Sequence, residues 1–262
     1  MISLERRHGR PLRIGHRGAA LLAPENTLAS FRAALEVGVD LVEFDVFRLA
    51  GGELVVAHSN DLFEVSHGAV SGWVRDCTLD QLRDSCPDLP TLAEALEWFA
   101  TEGAALGVHL DLKDGGVSAQ VVEEVRRLAL VERTFVSGFY RRALREIRRR
   151  EPGIRTGVTF PRDLLRVHGK KGSGGLERFF LRAMRAITPW LVRPLLLGTG
   201  ASALVLHHSA VGPGVVRRAH ARGLAVVAWT VDDPRDLARV DAAGVDAVVS
   251  NDPRIFLSTL SA

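Results

Sequence analysis

Lysine is nearly absent from this chain of 262 residues: of 34 basic residues, only Lys113, Lys170 and Lys171 are not arginine. An arginine-heavy, alanine-rich composition follows from a GC-rich genome as readily as from function. A formal net charge of +3 and a pI near 9.3 therefore argue only weakly for nucleic acid, and no nucleic-acid partner is expected. A modestly basic surface does suit a small anionic substrate. Cysteine is scarcer still. Cys77 and Cys86 are too few for a disulfide framework or a cysteine-based zinc site, and they fit a reducing cytoplasm. Residues 1–13 carry early positive charge but lack the continuous apolar stretch of a signal peptide. No apolar run of about eighteen residues occurs to span a membrane. The expectation is a cytoplasmic protein with no membrane span.

What is present is apolar mass and alternation. An apolar share of 47% is enough for a full core, and the chain reads as one domain over 1–262. A buried strand over 12–15 precedes Thr27, which has the chemistry of a helix N-cap, and Leu28, Phe31, Ala34 and Leu35 then recur at helical spacing until Gly38. A second strand over 41–46 puts Glu43 and Asp45 on one face and Val42, Phe44 and Val46 on the other. After the Gly51-Gly52 turn, 53–58 returns as a hairpin strand ending in His58. Residues 59–90 read as a short, irregular insertion with a helical turn near 78–83. Thr91 then caps the next helix. From 105 the rhythm is strand and helix, with strands near 108, 136, 157, 205, 228 and 248. The segment 161–200 reads as irregular, with Pro189 and Pro194 interrupting it. Eight strands, each followed by something helical, with polar residues gathered at the C-terminal ends of the first three, predict a TIM (β/α)8 barrel of parallel strands over a doubly wound sheet.

Glu43 and Asp45, two apart on one strand, aim two carboxylates into one space, and Asp111 on a neighbouring strand supplies a third. Three such acids repel one another unless a cation sits between them. Oxygen-only ligation suits one hard divalent ion, Mg²⁺ or Ca²⁺. His16 and His58, both at strand ends, are a candidate acid and base. Arg17 and Lys113 bring the positive charge a phosphate needs. Glu25 and Trp229 are candidate substrate contacts, Trp229 as an aromatic wall at the end of its strand. His207 and His208 end the sixth of these strands, where one would face the mouth, while His67, His109, His168 and His220 are given structural roles.

Together, His16-Arg17-Gly18, Pro24-Glu25-Asn26-Thr27, Glu43-Phe44-Asp45, His58, Asp111-Leu112-Lys113, Trp229-Thr230-Val231-Asp232, Gly244-Val245-Asp246 and Asn251-Asp252-Pro253 resemble the glycerophosphodiester phosphodiesterase family. The resemblance spans residue 14 to about 256. It implies a metal-dependent barrel hydrolase that cleaves glycerophosphodiesters to glycerol phosphate and an alcohol. It implies metal ligation by Glu43, Asp45 and Asp111, acid–base catalysis by His16 and His58, and phosphate contact by Arg17 and Lys113. The sequence departs from the family pattern at Asp111, where glutamate is usual, at Ser59, where aspartate usually follows the second histidine, and in the shortness of 59–90. Which histidine is the acid stays open, as does whether water or a substrate hydroxyl attacks. Two alternatives stand beside this reading: a lysophospholipase D or sphingomyelinase D type enzyme, and a catalytically silent barrel used for binding. The stretch 176–198, which mixes arginine with large apolar residues, is a candidate for peripheral membrane contact. Oligomeric state is not legible.

Overall fold

The computed structural model describes residues 2–161 and 176–259. Nine strands form one sheet in the order β1-β9-β8-β7-β6-β5-β4-β2-β3, and β1 also pairs with β2. The strands are β1 (Leu12–His16), β2 (Leu41–Arg48), β3 (Leu54–Val56), β4 (Gly107–Leu112), β5 (Thr134–Gly138), β6 (Arg155–Phe160), β7 (Ala203–His207), β8 (Ala225–Trp229) and β9 (Ala247–Ser250). Only β3 is antiparallel, folded back on the end of β2. The other eight are parallel and close on themselves, which is the expected TIM barrel. Helices α1 (Leu28–Val37), α4 (Leu92–Ala100), α5 (Ser118–Arg127), α6 (Arg141–Arg150), α7 (Leu176–Leu196), α8 (Pro213–His220) and α9 (Pro234–Ala242) lie between the strands. Two short helices, α2 (Leu62–Val65) and α3 (Leu79–Ser85), belong to the insertion after β3.

The helix starts follow their sequence signals. Thr27 accepts from the Ser30 amide while Ser30 caps in return, and Gly38 ends α1 in the left-handed region at φ 84. Thr91 and Glu94 form the same reciprocal box on α4, and Thr78 and Gln81 form it on α3. The insertion is less irregular than its polar composition predicts. Leu62, Val74, Cys77, Leu82 and Cys86 pack with Phe47, Leu49, Val55 and Ala57 into a small core of their own. Both thiols are free and buried.

Helix α7 also departs from the irregular segment that its prolines predict. Residues 162–175, with His168, Lys170 and Lys171, lie outside the described residues, but 176–196 is one helix and neither proline interrupts it. A proline inside a helix loses one backbone hydrogen bond and crowds the preceding turn. Here α7 packs along α8, and the Arg218 guanidinium both donates to the Pro189 carbonyl and stacks 3.8 Å over the Trp190 ring. Ile187, Trp190 and Leu197 are exposed on or just after this helix. Among the described residues, no helix is long and apolar enough to cross a membrane.

Strand register decides where the chemistry sits. The inward positions start apolar: Leu12, Ile14, Leu41, Phe135, Ala203, Val205, Val227, Ala247 and Val249 form one cluster inside the barrel, with Leu4 packed into it. Toward the C-terminal ends the same inward parity turns polar. His16 pairs with Glu43, which pairs with His109, and one step further Asp45 pairs with Asp111, which pairs with Ser137. Alternation along each strand thus stacks two polar layers on an apolar floor.

Candidate active site

The turn after β1 is shaped for close approach. Arg17 sits at φ 50 and Gly18 at φ 86, so that the Arg17 amide donates to Glu43 Oε2 at 3.0 Å and the Gly18 amide to the Glu43 carbonyl at 3.1 Å. A Cβ on Gly18 would lie 2.2 Å from Ser30 Oγ, so only glycine lets this turn rest on α1. Left-handed backbone at the non-glycine residues Arg17 and Asn26 (φ 59) is uncommon, and here it occurs in the walls of the site. Asn26 donates from Nδ2 to Asp45 Oδ2 at 3.0 Å and accepts from the Asp45 amide at 3.2 Å. The Pro-Glu-Asn-Thr stretch therefore does two jobs, holding β2 through Asn26 and starting α1 through Thr27.

His16, Arg17, Glu43, His58, His109, Asp111, Lys113, Ser137, Phe139, Thr159, Val205, Trp229 and Val249 line a cavity of ≈ 220 Å³ at the mouth of the barrel. His16 Nδ1 lies 2.6 Å from Asn251 Oδ1. Asn251 in turn donates from Nδ2 to Asp232 Oδ2 at 2.7 Å, and its amide donates to Asp232 Oδ1 at 2.8 Å. A carboxylate only accepts, so Asp232 must face the amide nitrogen and Asn251 must present its oxygen to the imidazole. That puts the proton on His16 Nδ1 and leaves the lone pair on Nε2. Burial first, and then the Arg17 charge, push the His16 imidazolium down to about 4.

His58 has the opposite surroundings. Its Nδ1 is 2.8 Å from Glu25 Oε1 and its Nε2 2.9 Å from Glu64 Oε1. Glu25 also accepts twice from Arg17 Nη1, at 2.9 and 2.8 Å. Burial alone would lower the His58 imidazolium, but the hydrogen bond to Glu25 and the facing carboxylates more than offset it, and the group is raised above its ordinary value. Glu25 answers in kind: burial works against its charge, yet the His58 bond and the Arg17 charge hold it down to about 2. Ser59 acts on the ring through Glu64, to whose carboxylate it hydrogen-bonds. Its hydroxyl accepts from the Asp61 amide, and Asp61 caps α2, which brings Glu64 to the histidine.

Glu43, Asp45 and Asp111 offer oxygens that all lie within 4.8 Å of one another, and all three residues are buried. Their surroundings differ. Asp45, although buried, is held far below the carboxylate range by Lys113 (Oδ1 to Nζ, 2.8 Å) and by Arg17 (Oδ2 to Nε, 3.2 Å). Glu43 is pushed well above that range by burial and by the charges of Asp45 and Asp111. Lys113, with Nζ also 2.6 Å from Asp111 Oδ2, stays charged despite burial. A buried carboxylate pushed toward its neutral form by two others marks a place where further positive charge would be stabilising, so the donor set fits a hard divalent cation.

Several partners escape a reading by residue type. Ser137 donates to Asp111 Oδ1 at 2.6 Å and accepts from His109 Nε2 at 2.9 Å. His109, expected to be merely structural, thus lines the cavity and supports an acid of the cluster; its imidazolium is lowered to about 4 by burial. Asn251, Asp232, Glu64, Ser137 and Phe139 were not singled out as site residues. For Asn251 and Asp232 a signal existed, since both follow barrel strands on the side where such sites form. Trp229 lines the cavity as expected, and His207 packs edge-on against it at 5.5 Å between centroids. His208 turns away to Asp236 and Arg239. His220 pairs with Asp246 at 2.8 Å, outside the site.

The model of the glycerophosphoryl diester phosphodiesterase family matches residues 16–255. A glycerophosphodiester phosphodiesterase of Caldanaerobacter subterraneus subsp. tengcongensis is 25% identical, over 94% of this chain and 96% of its own length. Human glycerophosphodiester phosphodiesterase 1 is 27% identical over 84% of this chain and 71% of its own. Among solved structures, an Oleispira antarctica phosphodiesterase in complex with the product sn-glycerol-3-phosphate superposes with a TM-score of 0.72 at 25% identity, covering 97% of this chain and 98% of the other.

Proposed function

Because the chain belongs to the glycerophosphoryl diester phosphodiesterase family and is a phosphoric diester hydrolase, we propose that it cleaves glycerophosphodiesters of small alcohols, such as glycerophosphocholine or glycerophosphoethanolamine, to glycerol 3-phosphate and the free alcohol. We read 1–262 as one catalytic domain working in a reducing cytoplasm, where two thiols stay free.

In this reading Glu43, Asp45 and Asp111 hold one Mg²⁺ or Ca²⁺. Bound there, the ion supplies Lewis-acid stabilisation of charge on the phosphoryl oxygens. Arg17 and Lys113 line the same cavity and bind the diester anion, each anchored by Asp45. Trp229 and Phe139 are the walls against which the glycerol rests. The single observation that carries the reading is the unlike provision for the two histidines. His16, with Nδ1 engaged by Asn251, offers the Nε2 lone pair and takes the proton of the attacking hydroxyl. His58, facing a carboxylate at each nitrogen, carries two protons and gives one to the departing alkoxide as the P–O bond breaks. Glu25 orients His58 and Arg17 together. Glu64, 52% exposed, is the partner free to yield when substrate arrives.

The test is release of choline from glycerophosphocholine by the intact protein, before and after chelation. Activity abolished by chelator and restored by Mg²⁺ or Ca²⁺ is expected; turnover indifferent to chelator removes the metal from the reading. A pH profile tests the acid. His58 must be protonated to act, so activity persists below its raised pKa and is lost above it. Glu25→Gln removes the partner that holds that pKa up, so the alkaline limb of kcat/KM should move to lower pH by roughly one unit or more. An unmoved limb would show that another group sets it.

A further inference from the structure

Helix α7 carries exposed apolar residues along one face. Ile187, Trp190, Pro194 and Leu197 recur at the spacing of a single helical stripe, and Ile187, Trp190 and Leu197 are 52%, 68% and 68% exposed. Exposed apolar residues scattered singly need no explanation, whereas a row of them marks a contact surface. The neighbours on both sides are rich in arginine. From α6, Arg141 and Arg145 donate to the carbonyls of Leu197 and Gly198 at the end of α7, and α8 packs along its middle, where Arg218 stacks on Trp190. Over α6, α8 and residues 183–196 of α7 there are ten arginines and one acid, Glu146. The whole chain has 34 basic and 31 acidic residues, so outside this face acids outnumber bases. Positive charge is gathered on one flank of the barrel.

We propose that α6, α7 and α8 form a docking face for an anionic lipid surface, with Ile187, Trp190 and Leu197 entering the interface and the surrounding arginines meeting lipid phosphates. Each part of the face suits that occupant. An arginine-bearing helix with one apolar stripe lies along a bilayer rather than across it, in keeping with its being too polar to span one. A tryptophan with a guanidinium on its ring suits the boundary between water and hydrocarbon. A second copy of this chain suits the face poorly, because a two-fold contact would set arginine against arginine. The position of the stripe also leaves the site accessible. Arg185 donates to the carbonyl of Ser209, just past the C-terminal end of β7, so α7 passes the rim of the mouth there. The stripe begins two residues later and runs down the outside of the barrel, away from the cavity.

The test is co-sedimentation of the full chain with vesicles of phosphatidylcholine alone and of phosphatidylcholine mixed with phosphatidylglycerol. Binding to the anionic vesicles should be tighter by roughly tenfold or more and should weaken as salt is raised. Two paired variants separate the contributions. Ile187→Ser with Leu197→Ser removes apolar side chains at exposed positions, and Arg142→Glu with Arg149→Glu reverses two exposed charges on α6. Each pair should weaken binding to anionic vesicles roughly tenfold or more, with the circular dichroism spectrum and the thermal midpoint of the parent retained. Equal binding of the parent to both kinds of vesicle, or binding to neither, overturns the proposal. So does a folded Ile187→Ser/Leu197→Ser variant that binds anionic vesicles as tightly as the parent while the parent also binds polyglutamate; the face would then be a site for an acidic protein.

Discussion

His16→Ala is expected to lower kcat by roughly 10²–10⁴-fold, the usual worth of a positioned general base, with little change in KM. The reason lies in the chain from Asp232 through Asn251 to His16. Asp232 turns the Asn251 amide, Asn251 holds Nδ1–H, and the Nε2 lone pair is delivered to the cavity already formed. Nothing in that chain binds the phosphate, so the loss belongs in the chemical step. Asn251→Ala leaves the imidazole in place but frees its tautomer, and it should reproduce part of the loss, again in kcat. Steady-state kinetics on glycerophosphocholine decide the matter. If His16→Ala raises KM and leaves kcat intact, the residue is a substrate contact and the roles of the two histidines must be reassigned.

The second large effect separates two neighbouring acids by sign. Asp45 is fully buried and answers Lys113, Arg17 and Asn26, so Asp45→Asn strips the shared counter-charge from two partly buried cations. Breaking such a network by removing one partner typically costs about 3–5 kcal/mol, and unfolding in chelator should show a loss of that order. Glu43 is as deeply placed, but burial and its two acidic neighbours already favour its neutral form. Glu43→Gln keeps a hydrogen-bonding group of the same shape and removes a charge that its surroundings disfavour, so it should leave stability in chelator within about 1 kcal/mol of the parent. Both variants should lose the stabilisation that divalent cation confers on the parent, and both should lose chelator-sensitive turnover. Destabilisation of equal size in chelator would mean that Glu43 is ionised, and the cluster would then have to be balanced differently.

How far the site is legible in the sequence differs from residue to residue. Thr27, Thr78, Thr91 and Gly38 announce helix ends because capping is local, set within three or four residues. Glu43 and Asp45 announce a shared face because alternation along a strand is local too. The insertion was harder to read: its polar surface hides the few apolar residues, Leu62, Val74 and Leu82 among them, that pack onto Phe47 and Val55. The prolines of α7 misled for a related reason, since their local cost is met by packing on α8, which no window of sequence contains.

By itself the sequence determined the class of protein: the period of its apolar residues called for eight parallel strands with helices between them, and the ordered motifs that carry its strand-end acids, histidines and cations resembled the glycerophosphodiester phosphodiesterase family. Tertiary structure alone decided which polar group serves which histidine. Asn251 stands 235 residues from His16, and Glu64 meets His58 only because a four-residue helix turns it inward. Barrel closure sets β1 beside β9, so the two ends of the chain share one mouth. The state of an ionisable group depends on burial and on whichever charges lie within a few ångströms, and those distances are made by closure. That is why His16 and His58, alike as strand-end histidines in the sequence, stand in opposite surroundings, the first imidazolium pushed down and the second raised.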